Sequence, residues 1–379
     1  MSEICYLDNS ATTRPCKESL EALNYNLNNN WGNPSSLYYL GYDAEEEMNA
    51  CRLAVAKKLS CRPDEIYFTS GGTEANNIAL LGAARARKKR GRRIVTTAFE
   101  HPSVANTIKS LEAEGFEIAY LVPDKNGIIP DSEIEKAITP DTVLVSIMLV
   151  NNEIGSIQNI RLAADRIKAV GAPALLHTDA VQGFGKLKIS PSALGADLIS
   201  ASGHKIHAPK GIGFLYLKKG VHIAPVVFGG GQQNDIRPGT EPVPLIAALG
   251  AAVNALPEVN SALDKMRELN LYARERLLSL GFVTITSPEK ALPYLINFSV
   301  EGYRSETLLH FLERKNIFLS SGSACAKGGI SPTLSAMGIS HDRIDSALRI
   351  SFSRFTEKGD IDLLCEGLCE ATQKLRRSK

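Results

Sequence analysis

Ala196-Asp197-Leu198-Ile199-Ser200-Ala201-Ser202-Gly203-His204-Lys205 is a largely apolar run that ends in a small, polar, glycine-bearing turn with a lysine at its close. A short apolar run bounded by a glycine turn reads as a buried strand. A lysine at a strand end, facing a cleft, is suited to holding an aldehyde as a Schiff base. Rigid elements must place it, and partial burial must keep its amine neutral and nucleophilic. Ser202-Gly203-His204-Lys205 taken alone also describes many ordinary loops, so its meaning depends on the rest of the chain.

From about residue 64 to 220, short apolar runs alternate with helical patterns, the mark of a parallel α/β sheet. Ile66-Tyr67-Phe68-Thr69 predicts a strand ending in Ser70-Gly71-Gly72, and a helix from near Thr73 carries Ala75, Ile78, Ala79 and Ala83. Further strands are expected over 93–97, 117–121, 142–150, 174–177 and 198–201, with 213–217 closing the sheet. Thr142 to Val150 is apolar enough for a central strand covered on both faces. Gly229-Gly230-Gly231, Pro238-Gly239, Pro242 and Pro244 mark a long irregular connection. Helices near 245–255 and 262–280 follow, then mixed strands and helices to the end. The expected fold class is α/β: a large domain over 13–256 with a mostly parallel sheet flanked by helices, and a smaller α+β C-terminal domain over 257–379, with 1–12 packing on it.

A chain of 379 residues has room for these two domains, and 44% apolar with 22% charged residues is ordinary for a globular protein. Lys and Arg total 43 against 41 Asp and Glu, so no strong field recruits nucleic acid or anionic membrane. The basic stretch Arg85 to Arg93 reads as the exposed end of a helix running into a strand. No secretory leader pattern and no run of membrane-spanning length is visible. Seven cysteines lack metal-type spacing, and Cys365 and Cys369 have no second pair, so no metal site is expected and reduced thiols in a cytoplasmic setting fit best.

Open parallel sheets bind ligands at the carboxyl ends of their strands. Five polar clusters fall there: Ser70-Gly71-Gly72-Thr73, Glu100-His101, Asn151-Asn152-Glu153, His177-Thr178-Asp179 with Gln182, and Ser202-Gly203-His204-Lys205. Gly72 and Thr73 open a helix, where free N–H groups suit either a phosphate or a plain cap. Ser202 and His204 are further phosphate donors. Asp179 suits a ring nitrogen, which makes a pyridine an electron sink as pyridoxal phosphate chemistry requires, but it also suits helix capping or a metal shared with His177. His101 suits ring stacking and proton transfer, or a structural role. Asn152 and Gln182 are amides for a ring oxygen, or turn residues.

With these clusters in this order, the chain resembles the cysteine desulfurases, in the class V aminotransferase branch of the fold-type I pyridoxal phosphate enzymes. The resemblance runs nearly end to end, through Tyr6-Leu7-Asp8-Asn9-Ser10-Ala11-Thr12-Thr13, Gly32-Asn33-Pro34-Ser35-Ser36, the five clusters, Arg237-Pro238-Gly239-Thr240-Glu241 and, most diagnostic, Ser321-Gly322-Ser323-Ala324-Cys325. It implies that Lys205 holds the cofactor covalently, Asp179 pairs with its ring nitrogen and His101 stacks on it. Gly72, Thr73, Ser202 and His204 would hold the phosphate, with Thr240 reaching the site of a second copy in a homodimer. Asn152 and Gln182 would contact the ring oxygen, and Asn33, Asn152 and Arg349 would bind the substrate carboxylate, a role that suits the planar fork of an arginine.

Cys325 selects the reaction within this resemblance. A thiolate there can take the sulfur of L-cysteine as a persulfide and leave L-alanine. Its setting, small polar residues before and Lys327-Gly328-Gly329 after, reads as a flexible loop rather than a packed core. The implied catalytic set is Cys325, Lys205 and His101, and the implied partner is a protein that accepts sulfur, either an iron–sulfur scaffold or a tRNA-thiolation factor. A selenocysteine lyase would use the same residues, whereas a class V aminotransferase would not need Cys325. The segment from Cys325 to Gly338 looks shorter than in the desulfurases that serve scaffolds, and the chain stops soon after a basic helix; both features bear on the acceptor rather than on the chemistry.

Overall fold

The computed structural model describes residues 4–321 and 330–377. Among them the strands are, in chain order, β1 Cys5–Tyr6, β2 Ile66–Thr69, β3 Arg93–Thr97, β4 Glu117–Leu121, β5 Thr142–Ser146, β6 Leu175–Asp179, β7 Leu198–Ser202, β8 Gly213–Leu217, β9 Val283–Ile285, β10 Leu295–Val300, β11 Ile317–Phe318, β12 Ser320–Ser321 and β13 Ala347–Ser351. Seven of them form one sheet in the order β2-β8-β7-β6-β5-β3-β4. β3 to β7 are mutually parallel, while β8 runs antiparallel to both β2 and β7.

The five-residue stretches β5, β6, β7 and β8 are buried throughout, as expected for strands covered on both faces. Their side chains alternate between two cores. Leu144, Leu175, Leu198 and Leu215 face Ala75, Ile78 and Ala79 of the helix Gly72–Arg87 and Ile108 of the helix Pro102–Ala113. Val145, Leu176, Ile199 and Phe214 join the opposite core with Phe184, Ile246 and Leu249. Each fully buried leucine or phenylalanine in these layers contributes about 1.5–3 kcal/mol.

Two sequence expectations need revision. The strand foreseen to Val150 ends at Ser146. Beyond it the chain stays buried and bonds β6 through Ile147 N to His177 O (3.2 Å), Leu149 N to Asp179 O (2.9 Å) and Thr178 Oγ1 to Ile147 O (2.8 Å), before Asn151 turns it back. Residues 213–217 do not close the sheet: β8 slots between β2 and β7. The short return from the Lys205 turn reverses the chain directly beside β7, and a reversal that tight produces an antiparallel pair.

A second, antiparallel sheet has the order β12-β13-β10-β9. The N-terminal segment connects it to the large sheet. β1 lies parallel to β11, Asn9 Nδ2 donates to Ser351 O (2.9 Å), and Ser10 N donates to Ser351 Oγ (2.7 Å). A few residues later Thr13 donates through both N and Oγ1 to His204 O (2.8 and 3.0 Å), in the turn that ends β7. No single described helix is long and apolar enough to cross a membrane.

Gly213 is where β8 passes the turn after β2. A Cβ there would lie 2.6 Å from Ala201 O and 2.7 Å from the Gly71 Cα, both main-chain atoms that cannot swing away. Gly213→Ala is therefore expected to destabilise the fold by about 1–3 kcal/mol, the usual cost of overpacking. Urea unfolding measures this, and an unchanged midpoint would show that the turn is not held against β8.

Candidate active site

β2 runs in the same direction as β3 to β7, so the ends of β2, β3, β5, β6 and β7 share one rim. Asp179 is the last residue of β6 and is 5% exposed. Its Oδ1 accepts from Val181 N (2.9 Å) and its Oδ2 from Asn76 Nδ2 (2.8 Å), so the carboxylate is held on both sides. Asn76 lies on the helix that starts at Gly72, and its own Oδ1 is buried with no partner among the described residues.

His101 caps the helix Pro102–Ala113, with Nδ1 engaged by Ser103 N (3.2 Å) and Ser103 Oγ (2.8 Å). Nε2 is the nitrogen left for other work. Burial pushes the pKa of this histidine down, with the Asp179 charge opposing and the Lys205 charge assisting. Asn76 Nδ2, which holds Asp179, also donates to the same Ser103 Oγ (2.9 Å), so His101 and Asp179 are joined through one hydrogen-bonded chain. Lys205 ends a single helical turn after β7, and its Nζ donates to Ser10 O (2.5 Å) and Ala11 O (2.7 Å).

The turn after β2 forms a cradle. Gly71 has φ +153° and ψ −175°, a conformation essentially confined to glycine. A Cβ on Gly72 would lie 2.7 Å from Val181 Cγ2, and one on Gly71 would sit 3.6 Å from Ser202 Oγ. Gly72 therefore leaves no room for a side chain against the Asp179 loop, whereas at Gly71 the backbone conformation, rather than space, calls for glycine. The first-turn N–H groups of the helix beyond have no intrahelical partners and carry the positive end of its dipole. His204 Nδ1 meets Thr12 Oγ1 at 3.2 Å, and burial, aided by the charges of Lys205 and Lys210, pushes its pKa down to about 4. It is a neutral imidazole at neutral pH.

Gln182 is 5% exposed; its Nε2 donates to Ser10 O (3.0 Å) and its Oε1 accepts from Lys186 Nζ (3.3 Å). Arg349, on β13, is 2% exposed; it donates to Asn152 O (2.8 Å) and to Asp8 Oδ1 (3.0 Å), while its buried Nε has no partner among the described residues. Burial raises the Asp8 pKa, and Arg349 opposes that rise. The side chains of Thr73, Thr240 and Asn33 are exposed, and no hydrogen bond among the described residues ties them to this buried group. Asn33 Oδ1 accepts from Ser35 N instead (3.0 Å). Cys325 lies outside the described residues.

The His177–Asp179 metal alternative does not suit the geometry. Both ring nitrogens of His177 are already engaged, Nδ1 with Ser146 Oγ (2.9 Å) and Nε2 with Ser200 Oγ (3.0 Å). Sequence reasoning missed Asp8, Ser10, Asn76 and Lys186. Asp8 and Ser10 sit within the N-terminal motif, which by itself assigns them no role. Lys186 follows Gln182 by four residues, a spacing at which side chains meet along a helical turn. Nothing local signals Asn76.

The donor set suits a phosphorylated pyridine aldehyde: a lysine amine, a doubly held carboxylate, a histidine, and a side-chain-free cradle at a helix start. The comparisons with known proteins agree on the surrounding chain. A family model described as aminotransferase class V matches residues 5–364. The cysteine desulfurase IscS of Methanosarcina thermophila is 40% identical, over 98% of this chain and 92% of that one. A solved NifS-like protein has a TM-score of 0.93 at 35% identity, covering 98% of this chain and 100% of its own. A second solved structure, SspA in complex with cysteine, has a TM-score of 0.82 at 33% identity, covering 93% and 99%.

Glu100, beside His101, is 6% exposed; its Oε1 accepts from Met148 N (2.8 Å) and Thr97 Oγ1 (2.8 Å). Burial raises its pKa from 4.5 to about 8 against the pull of those two donors. The folded chain therefore holds this proton more tightly than the unfolded chain, and stability falls as pH rises from about 4.5 through 8. Glu100→Gln cannot ionise, so its stability relative to the parent should improve between pH 5 and pH 8. Urea unfolding at the two pH values tests this, and an equal difference at both would show that Glu100 titrates as an ordinary carboxyl.

Proposed function

Because this chain belongs to the class V aminotransferase family and, within it, to the cysteine desulfurases, we propose that the cleft around Lys205 and Asp179 holds pyridoxal phosphate and that Cys325 receives the sulfur. The chain is a cysteine desulfurase, removing sulfur from L-cysteine and leaving L-alanine. The observation that carries the proposed site is Asp179, held by Asn76 and Val181 and coupled by charge to His101, which also feels the charge of Lys205.

When bound, the cofactor supplies an aldehyde for an amine and a protonated ring that takes up the electron pair released at the substrate Cα. Asp179 accepts the ring N–H, with its orientation already set by two donors. Gly72, Thr73, Ser202 and His204 hold the phosphate at the helix start, and Gln182 and Asn152 face the ring oxygen. Arg349, with an uncommitted Nε, binds the substrate carboxylate alongside Asn33. Lys205 holds the aldehyde and moves the proton at Cα, and His101 assists through Nε2.

Cys325, as a thiolate, attacks the substrate sulfur. The S–S bond forms as the C–S bond breaks, the released electron pair stays on the carbon, and a proton taken up there completes L-alanine. Cysteine and enzyme thiol thus become alanine and enzyme persulfide, with no external oxidant. The buried cysteines are poorly suited to such an attack, because burial pushes Cys5 up to about 12 and Cys365 to about 11, and both remain thiols. An acceptor protein, an iron–sulfur scaffold or thiolation factor, then takes the sulfur.

The proposed domain division is 13–256 and 257–379, with 1–12 packing on the second. The working unit is a homodimer, in which Thr240 serves the site of the second copy. Supporting this, Trp31, Leu37, Tyr38, Tyr39 and Phe228 are exposed apolar side chains on segments that flank a cavity of about 640 Å³ lined by Pro34, Arg52 and Gln232.

Cys325→Ala should retain the visible absorption of bound cofactor but lose single-turnover alanine formation by about 10³-fold or more. Normal turnover in this variant would exclude the persulfide step. Lys205→Ala should lose the absorption band itself, and an unchanged spectrum would place the cofactor elsewhere.

A further inference from the structure

Lys186 is a buried lysine that the proposed reaction does not use. It is 8% exposed, on the chain that leaves β6, with Nζ over the Tyr294 ring at 5.5 Å from its centroid. No carboxylate pairs with it among the described residues. The charged groups acting on it are Lys205 and Arg349, both cations, and together with burial they pull its pKa down to about 7. A buried amine in such company is unfavourable for folding, so a contribution to stability does not account for it.

Among the described residues its one side-chain hydrogen bond is to Gln182 Oε1, at 3.3 Å. The other end of that amide, Nε2, donates at 3.0 Å to Ser10 O, the same carbonyl that receives Lys205 Nζ. Lys186 donates to the amide oxygen, and the Ser10 carbonyl can only accept. The two neighbours therefore select the same one of the two amide orientations, oxygen toward Lys186 and NH₂ toward Ser10 and Lys205. Among the described residues only Lys186 donates to that oxygen.

We infer that Lys186 is a positioning residue whose amine fixes the Gln182 amide with its NH₂ group toward the Lys205 site, so that a ligand oxygen placed there meets a donor rather than an acceptor. The inference rests on the proposed function, in which that oxygen belongs to the cofactor ring. A donor stabilises the ring oxygen as an anion and lowers the pH at which the chromophore at Lys205 takes up its proton. Loss of the donor raises that pH.

The test uses the holoenzyme formed with pyridoxal phosphate, titrated by its visible spectrum. Lys186→Met, of similar length but without a donor, is expected to raise the spectral midpoint by about half a pH unit or more, roughly threefold in the ratio of the two forms. An unchanged midpoint overturns the inference. Gln182→Leu should raise it as well, and the double variant should titrate like Gln182→Leu alone. A shift equal to the sum of the two would mean that Lys186 acts through its own charge, which also overturns it. Lys186→Gln keeps an NH₂ group for the amide oxygen and should stay near the parent midpoint, and a rise as large as that of Lys186→Met counts against the inference. Thermal melting of the cofactor-free Lys186→Met protein should be no lower than that of the parent, and a lower melt assigns Lys186 to packing instead. If the parent forms no visible band with pyridoxal phosphate, the proposed function itself fails.

Discussion

The Lys205 amine is held by two main-chain carbonyls, those of Ser10 and Ala11, and the arrangement of the cleft follows from that contact. The carbonyls belong to a segment whose own hydrogen bonds run to both sheets. Asn9 and Ser10 bond Ser351 on β13, and Thr13 bonds His204 beside the lysine. A shift of β13 relative to β7 would thus have to break main-chain bonds or drag the lysine with it. The ion pair between Arg349 and Asp8 follows the same path, joining β13 to this segment two residues before Ser10. Lysine, on the turn after β7, and arginine, on β13, are thus tied to one strap of backbone rather than placed by their own flexible side chains alone.

Charge in the cleft follows a similar logic. Lys186, Lys205 and Arg349 gather there against Asp8 and Asp179, while His101 and His204 are pushed by burial toward their neutral forms. Such a surplus of buried positive charge is unfavourable by itself and is relieved by anions. The ligands proposed for this site, a phosphate and an amino-acid carboxylate, are anions. Asp179 is the counterweight on the other side, a carboxylate fixed from two directions by Asn76 and Val181 and so suited to the ring N–H of the proposed cofactor. The buried thiols of Cys5 and Cys365, outside the cleft, are pushed the other way, up and out of reactivity.

Much of the fold was legible because its strands are short apolar runs closed by glycine-bearing turns, a local pattern that burial on both faces imposes. β2, β3 and β4 fall where alternation and turn residues placed them. The exceptions arise where non-local pairing decides. Ile147 to Val150 are as apolar as the strand before them, yet the regular ladder stops at Ser146 and only scattered bonds to β6 continue before the turn at Asn151. β8 has the composition of any strand in the sheet, and nothing in it states that it lies between β2 and β7.

The sequence alone determined which chemistry-bearing residues follow strands, and hence that Asp179, His101, Ser202 and Lys205 would share a rim, because strands alternating with helices imply a parallel sheet whose strand ends fall on one side. Through its motifs it also determined the family. Only the tertiary structure decided what holds those residues. Asn76 on Asp179, Asp8 on Arg349, the Ser10 and Ala11 carbonyls on Lys205 and the Lys186 amine on Gln182 are contacts that, except for the last, join residues far apart in the chain. A buried polar group must find its partner wherever the packed chain supplies one, and that address is written in the fold rather than in the neighbouring residues.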